Sequence, residues 1–180
     1  MSRRFLVPLA ASAFALGLAC TASAQSSALN ATDSAFMEHA IADGMAEVQM
    51  GQLALDKSSD AQVKQLAQRI VTDHRKADHE LRKLAVRKHV RLPATPTAEA
   101  QQEAASMKQM EGADFDRAWA AAMVKDHNKA IDMFTTESQQ AKDIDLRKFA
   151  ESTTPTLRTH LEMAQKLNGG ASMDPSGMAH

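Results

Sequence analysis

Cysteine is all but absent. The single one, Cys20, falls in an N-terminal stretch that reads as an export leader. The rest of the chain therefore lacks a thiol nucleophile, a disulfide or a thiolate metal ligand. There is no tyrosine, and six phenylalanines with one tryptophan are too few to build a base-stacking platform. A net charge of -1 leaves no electrostatic footprint for a polyanion, which argues against nucleic acid as a partner. No glycine-rich phosphate loop and no serine–histidine–aspartate spacing occur, so no catalytic residue can be assigned. The mixed charges give no basic amphipathic face for a membrane surface. Glu-x-x-His is missing as well. The carboxylate-bridged di-iron bundles need two such motifs, which argues against a ferroxidase or a storage ferritin. What remains is rich in alanine, methionine, glutamine, lysine and glutamate, a composition that favours an all-α domain.

The leader occupies residues 1–24. Arg3 and Arg4 form a basic start, and Phe5 to Ala19 form an apolar run too short for a comfortable membrane span. Ala22-Ser23-Ala24 fits the small-residue cleavage rule, with cut between Ala24 and Gln25. The expected location is the periplasm or the medium. Lipidation at Cys20 is not expected, because Gly17 stands where such sites prefer leucine. Cleavage leaves 156 residues, and loss of the two arginines takes the charge to -3.

Periodicity predicts four long helices and one short one. Residues 25–32 should be loose. Helix one runs from Asp33, a candidate N-cap, to Lys57, and helix two from a Ser59-x-x-Gln62 capping box to about His89. The two should form an antiparallel hairpin. Pro93 and Pro96 interrupt the chain, a short helix follows over about Thr97 to Glu111, and Gly112 suits its end. Helix three covers about Asp114 to Gln140, and helix four begins near Asp143 and stops before Gly169. Pro155 should kink helix four by freeing the carbonyl of Glu151. Residues 169–180 read as a disordered tail. The connector over residues 90–113 can span about 39 Å, the length of a 26-residue helix. The expected fold is a ferritin-like four-helix bundle over residues 33–168, with one long crossover between helices two and three.

Heptad seams place ionisable groups inside this bundle. Helix two offers Val63, Ala67, Ile70, His74, Ala77, Leu81 and Leu84 at alternating four-three spacing. Helix four offers Leu146, Ala150, Thr153, Leu157, His160, Ala164 and Leu167, and helix three Trp119, Met123, His127, Ala130 and Phe134. Glu47 borders the seam of helix one. Counted from each hairpin turn, Glu47 with His74, and His127 with His160, differ in level by only about 5–6 Å. Glu47, His74, His127 and His160 are thus candidate ligands for a zinc, copper or iron ion. The competing expectation is an inert hydrogen-bonded cluster that holds the bundle in register, in a non-catalytic envelope or stress-related interaction protein. Asp73, Asp78 and Asp126 each precede a histidine. Adjacent helical residues point apart, so these aspartates are expected to be surface charges, and His79 to be exposed. His39, Asp43 and Glu47 recur every four residues and suggest a solvated face. Met173, Met178 and His180 in the tail are soft ligands suited to copper(I). The remaining methionines are expected to fill the core.

Three stretches carry a family resemblance: Gly44-Met45-Ala46-Glu47-Val48-Gln49-Met50-Gly51-Gln52-Leu53-Ala54; Val63-Lys64-Gln65-Leu66-Ala67 with Val71-Thr72-Asp73-His74; and Asp145-Leu146-Arg147-Lys148-Phe149-Ala150 with Pro155-Thr156-Leu157-Arg158-Thr159-His160-Leu161. Together they resemble the bacterial exported family called domain of unknown function 4142, over residues 33–168. The resemblance implies a ferritin-like four-helix fold and no established activity. It also implies that Glu47, His74, His127, Pro155 and His160 occupy motif positions. Here Thr153-Thr154 is more polar than the leucine such proteins place before the proline. Members are often labelled outer-membrane proteins, but no strand pattern in this chain supports a barrel.

Overall fold

A computed structural model of the chain describes residues 29–170. The expected leader over residues 1–24, with Cys20, and the expected tail with Met173, Met178 and His180 lie outside the described residues. Five helices follow in order: α1 (Ala31–Lys57), α2 (Ala61–Lys88), the short α3 (Ala98–Met107), α4 (Gly112–Gln140) and α5 (Ile144–Gly170). Among the described residues there is no strand, and no helix is long and apolar enough to cross a membrane.

The helix starts differ from the sequence expectation for identifiable reasons. The N-cap of α1 is Asn30, whose Oδ1 accepts from Asp33 N at 2.9 Å. Asp33 serves a distant purpose instead. It is buried, and its carboxylate accepts from Lys142 N and Asp143 N, the turn between α4 and α5. The cap of α2 is Asp60 rather than Ser59: its Oδ1 accepts from both Gln62 N and Val63 N. Ser58 in turn accepts from Asp60 N. A carboxylate satisfying two orphan amides at a helix start displaces the weaker hydroxyl box. The short helix ends at Met107, not Glu111, and Gly112 opens α4 with φ +56° rather than closing α3. Asp143 caps α5 through Asp145 N and Leu146 N. That helix continues through Pro155. Just before the proline, the Thr153 and Thr154 hydroxyls donate to the Phe149 and Ala150 carbonyls one turn back.

Contacts at the two ends fix the topology. At one end Asp33 opens α1 against the start of α5, and Lys88 at the close of α2 pairs with Asp143 at 2.6 Å. At the other end Lys57, closing α1, bonds Lys108 O and Glu111 just before α4. The connector that carries α3 therefore travels the whole length of the bundle, and α1 runs parallel to α5 and α2 parallel to α4. Each hairpin, α1–α2 and α4–α5, packs on the other through α2–α5 and α1–α4. The indole of Trp119 on α4 donates to Met50 O on α1 at 3.0 Å, fixing the two hairpins in register.

The hydrophobic core is divided in two. One cluster gathers Phe36, Ile41, Leu81, Phe134, Leu146 and Leu157, and the other Met50, Leu66, Ile70, Trp119, Met123 and Ala164. On each long helix the break falls at one residue: Glu47, His74, His127 and His160. A polar layer thus crosses the bundle between two apolar halves, at the common level that counting from the turns predicted.

Candidate metal centre

The layer is built from one side chain per helix. His127 on α4 and His160 on α5 are fully buried, with 1% and 0% exposure, and Glu47 on α1 has 7%. His74 on α2 is half-buried, and Gly44 on α1 stands opposite its Nδ1, where a Cβ would sit 3.9 Å away. The three imidazoles form a triangle, with ring centroids 5.2 Å apart for His127–His160, 5.6 Å for His74–His160 and 5.8 Å for His74–His127. One nitrogen from each ring lies within 4.8 Å of the other two. Glu47 stands apart from this convergence. Its Oε1 is 3.9 Å from His127 Nδ1, the nitrogen on the far side of that ring from His160.

Hydrogen bonding settles where the protons are. His127 Nδ1 is 2.9 Å from Met123 O, and a carbonyl only accepts, so Nδ1 carries the proton. His160 Nε2 is 3.0 Å from Asp73 Oδ2, so it donates to that carboxylate. Each neutral ring is then left with one lone pair, on His127 Nε2 and His160 Nδ1, and these two nitrogens face each other at 3.2 Å. His74 Nε2 is buried and has no hydrogen-bond partner among the described residues.

Protonation is opposed by burial. Burial first, then the neighbouring His160, brings His127 down to about 4. Burial and then the two other imidazoles hold His74 well below its ordinary range. Burial lowers His160 too, against the opposing pull of Asp73. Near neutral pH the three rings are therefore neutral and their lone pairs free. Glu47 is pushed well above the usual carboxylate range, by burial first and then by Asp126, Asp43 and Glu103.

Asp73 corrects the expectation that the aspartates are idle surface charges. It lies one position before His74, so it leaves the seam on the side of α5, and there it reaches His160. Asp126 likewise is only partly exposed and reaches the cavity beside Glu47, whereas Asp78 is occupied with Arg82 at 2.8 Å. The signal that could have found Asp73 is positional: residues flanking a seam in a four-helix bundle face a neighbouring helix, not water. The suggestion of a solvated His39–Asp43–Glu47 face holds at His39, which is exposed, and fails at Glu47. His79 is exposed as expected.

A cavity of about 190 Å³ adjoins the layer. Glu47, His74 and His127 form part of its wall, as do Asp43, Glu103 and Asp126, whose side chains are about a third exposed and so lie toward the solvent side.

Fold and site together define an all-α bundle with one long crossover, whose core is split by a buried three-imidazole cluster. The chain belongs to the family described as Domain of unknown function (DUF4142), which matches it over residues 18–167. No curated protein matches the sequence. Solved structures with a similar fold include a DUF305 fragment from Deinococcus radiodurans, with TM-score 0.71, 15% identity, and coverage of 79% of this chain and 99% of that one. CopM in its Cu(II)-bound form gives TM-score 0.67 at 17% identity, covering 77% of this chain and 96% of that one. CopM in its Cu(I)-bound form gives 0.66 at 16%, covering 78% and 98%. At these identities the likeness is one of fold.

Proposed function

We propose that this is an exported helical-bundle protein that binds one transition-metal ion through His74, His127 and His160, copper being the first ion to test. The observation that carries the reading is the pair of lone pairs facing each other at 3.2 Å. Two acceptors at that distance repel unless something positive lies between them. A proton there would make one ring an imidazolium, against the burial that keeps His127 at about 4. A metal ion satisfies both nitrogens without protonating either. Two bonds of about 2.0–2.1 Å at a tetrahedral angle place their nitrogens roughly 3.3–3.4 Å apart. The widest separation, within 4.8 Å, needs a closure of at most about 1.5 Å to reach that spacing.

Imidazole ligands suit zinc, copper and iron, and among divalent ions copper binds such sites most tightly. The copper-bound forms named for the similarly folded CopM support the same choice. Three imidazoles leave a coordination position open, while Glu47, behind His127, is not counted among the ligands. The reading is one of binding, and no substrate or catalytic residue is assigned. Export rests on the leader over residues 1–24 with its Ala22-Ser23-Ala24 cleavage sequence.

The test is elemental analysis of the protein purified without a histidine tag, beside a His74→Ala, His160→Ala double variant. Near-stoichiometric metal in the first, lost in the second, supports the site. No metal, together with no rise in Tm on adding copper, zinc or iron, would leave the cluster as an internal hydrogen-bond network in a non-catalytic envelope protein.

A further inference from the structure

The wall of the cavity beside the imidazoles is polarised along its length. At the solvent end stand Lys125 and Lys129, each with 70% of its side chain exposed, beside three carboxylates drawn from three helices. Glu103 on α3 is 3.6 Å from Lys125, Asp126 on α4 is 3.9 Å from the same ammonium, and Asp43 on α1 is 3.5 Å from Lys129. These are loose, water-exposed pairs, which hold weakly and exchange readily. At the inner end is Glu47. It is 7% exposed, and its Oε2 is buried with no hydrogen-bond partner among the described residues. An oxygen left without a partner carries a desolvation cost. The cavity that Glu47 helps to line has room for several water molecules. Beyond it lie the rings of His74 and His127.

Resting on the metal-binding reading above, we propose that this cavity is the channel by which the cation reaches the imidazoles. Asp43, Glu103 and Asp126 would gather the hydrated cation at its mouth by their charge, and Glu47 would be an inner stop. Carboxylate oxygens take a hydrated divalent cation without requiring it to shed its water at once. Three carboxylates against two lysines leave the mouth net acidic, and a cleft with low-dielectric walls focuses that field and raises the arrival rate of a cation. The second observation, independent of the acidic cluster at the mouth, is the unpartnered Glu47 oxygen. The protein offers it no donor, and a cation in transit gives it a partner.

The experiment measures loading rate and equilibrium affinity separately. Cu(II) is mixed rapidly with the purified protein, and quenching of Trp119, the chain's single tryptophan, reports its arrival near His127, about 12 Å along the same helix. An Asp43→Asn, Glu103→Gln, Asp126→Asn variant is expected to load about tenfold more slowly at low ionic strength and to lose most of the salt dependence. Its equilibrium affinity should stay within about threefold of the wild type. A Lys125→Gln, Lys129→Gln variant is expected to load faster. Unchanged rates in both variants, with copper bound normally, would overturn the channel while leaving the imidazole site standing. Equal losses of rate and affinity in the carboxylate variant would also overturn it, because the acids would then belong to the final site. No Cu(II) bound by the wild type would overturn the site and the channel together.

Discussion

His127 Nε2 and His160 Nδ1 face each other at 3.2 Å, and the second nitrogen of each ring already donates elsewhere, to Met123 O and to Asp73. The bundle thus spends its hydrogen bonds on holding two imidazoles in the tautomers that point lone pairs inward. A cluster that served only to satisfy itself would direct a proton from one ring to the other. The geometry here does the reverse.

Asp73 is the group that sets the His160 tautomer, so its loss should be felt in metal affinity more than in folding. Asp73→Ala is expected to weaken copper binding by about 10–100-fold, as removal of such outer partners does at metal sites. The metal-free Tm should change little, since 32% of the Asp73 side chain is exposed. Asp73→Asn, which keeps an accepting oxygen, should recover much of the loss. Calorimetric titration of the three proteins checks this.

Gly51 marks the closest approach of α1 and α2. A Cβ there would meet Val71 Cγ2 at 2.7 Å and Ala67 O at 3.1 Å. The hairpin cannot separate without opening the core around Met50 and Ile70. Gly51→Ala should therefore cost about 1–3 kcal/mol despite the better helix propensity of alanine. A fall in Tm of several degrees in a melting experiment is the expected reading.

Glu137 introduces a pH dependence at the opposite level of the bundle. Burial first, then Asp33 and Asp143, raise it to about 7, and its Oε1 has no partner among the described residues. A carboxyl bound more tightly to its proton in the folded state than in the unfolded state favours folding at low pH. That advantage is complete below about 4.5 and is lost as pH rises through about 7. Glu137→Gln removes the titration. It should raise stability by about 1 kcal/mol or more at pH 8 relative to wild type, with a smaller difference at pH 5. Denaturant unfolding at the two pH values measures the contrast.

His89 closes α2 in the left-handed region, at φ 57°, with Val90 N reaching back to Ala85 O at 3.0 Å. Glycine is the usual residue at such a cap, because a Cβ is strained there. His89→Gly should stabilise the fold by up to about 1 kcal/mol, read as a higher denaturation midpoint.

Much of this was legible in the sequence because a helical bundle is a regular object. The four-three spacing of Val63, Ala67, Ile70, His74, Ala77 and Leu81 marked the inward face of α2. Counting residues from each turn placed Glu47, His74, His127 and His160 on one level, since every helical residue rises by the same 1.5 Å. What periodicity could not supply is rotation about each helix axis. It could not show that Glu47 lies behind His127 and not beside its free nitrogen, or that Asp73, next to a seam residue, reaches across to α5. Asp33 was hidden for a different reason. It resembled a local helix cap, while its true partners, Lys142 and Asp143, are more than a hundred residues away in the chain.

On this proposal the core imidazoles hold the ion, and not the soft ligands Met173, Met178 and His180 near the C-terminus. X-ray absorption at the copper edge of the purified, copper-loaded protein separates the two. The expected spectrum shows a nitrogen shell at about 2.0–2.1 Å with the outer-ring scattering of three imidazoles, unaltered when residues 171–180 are removed. A sulfur shell, or imidazole scattering that survives the His74→Ala, His160→Ala substitutions, would contradict it.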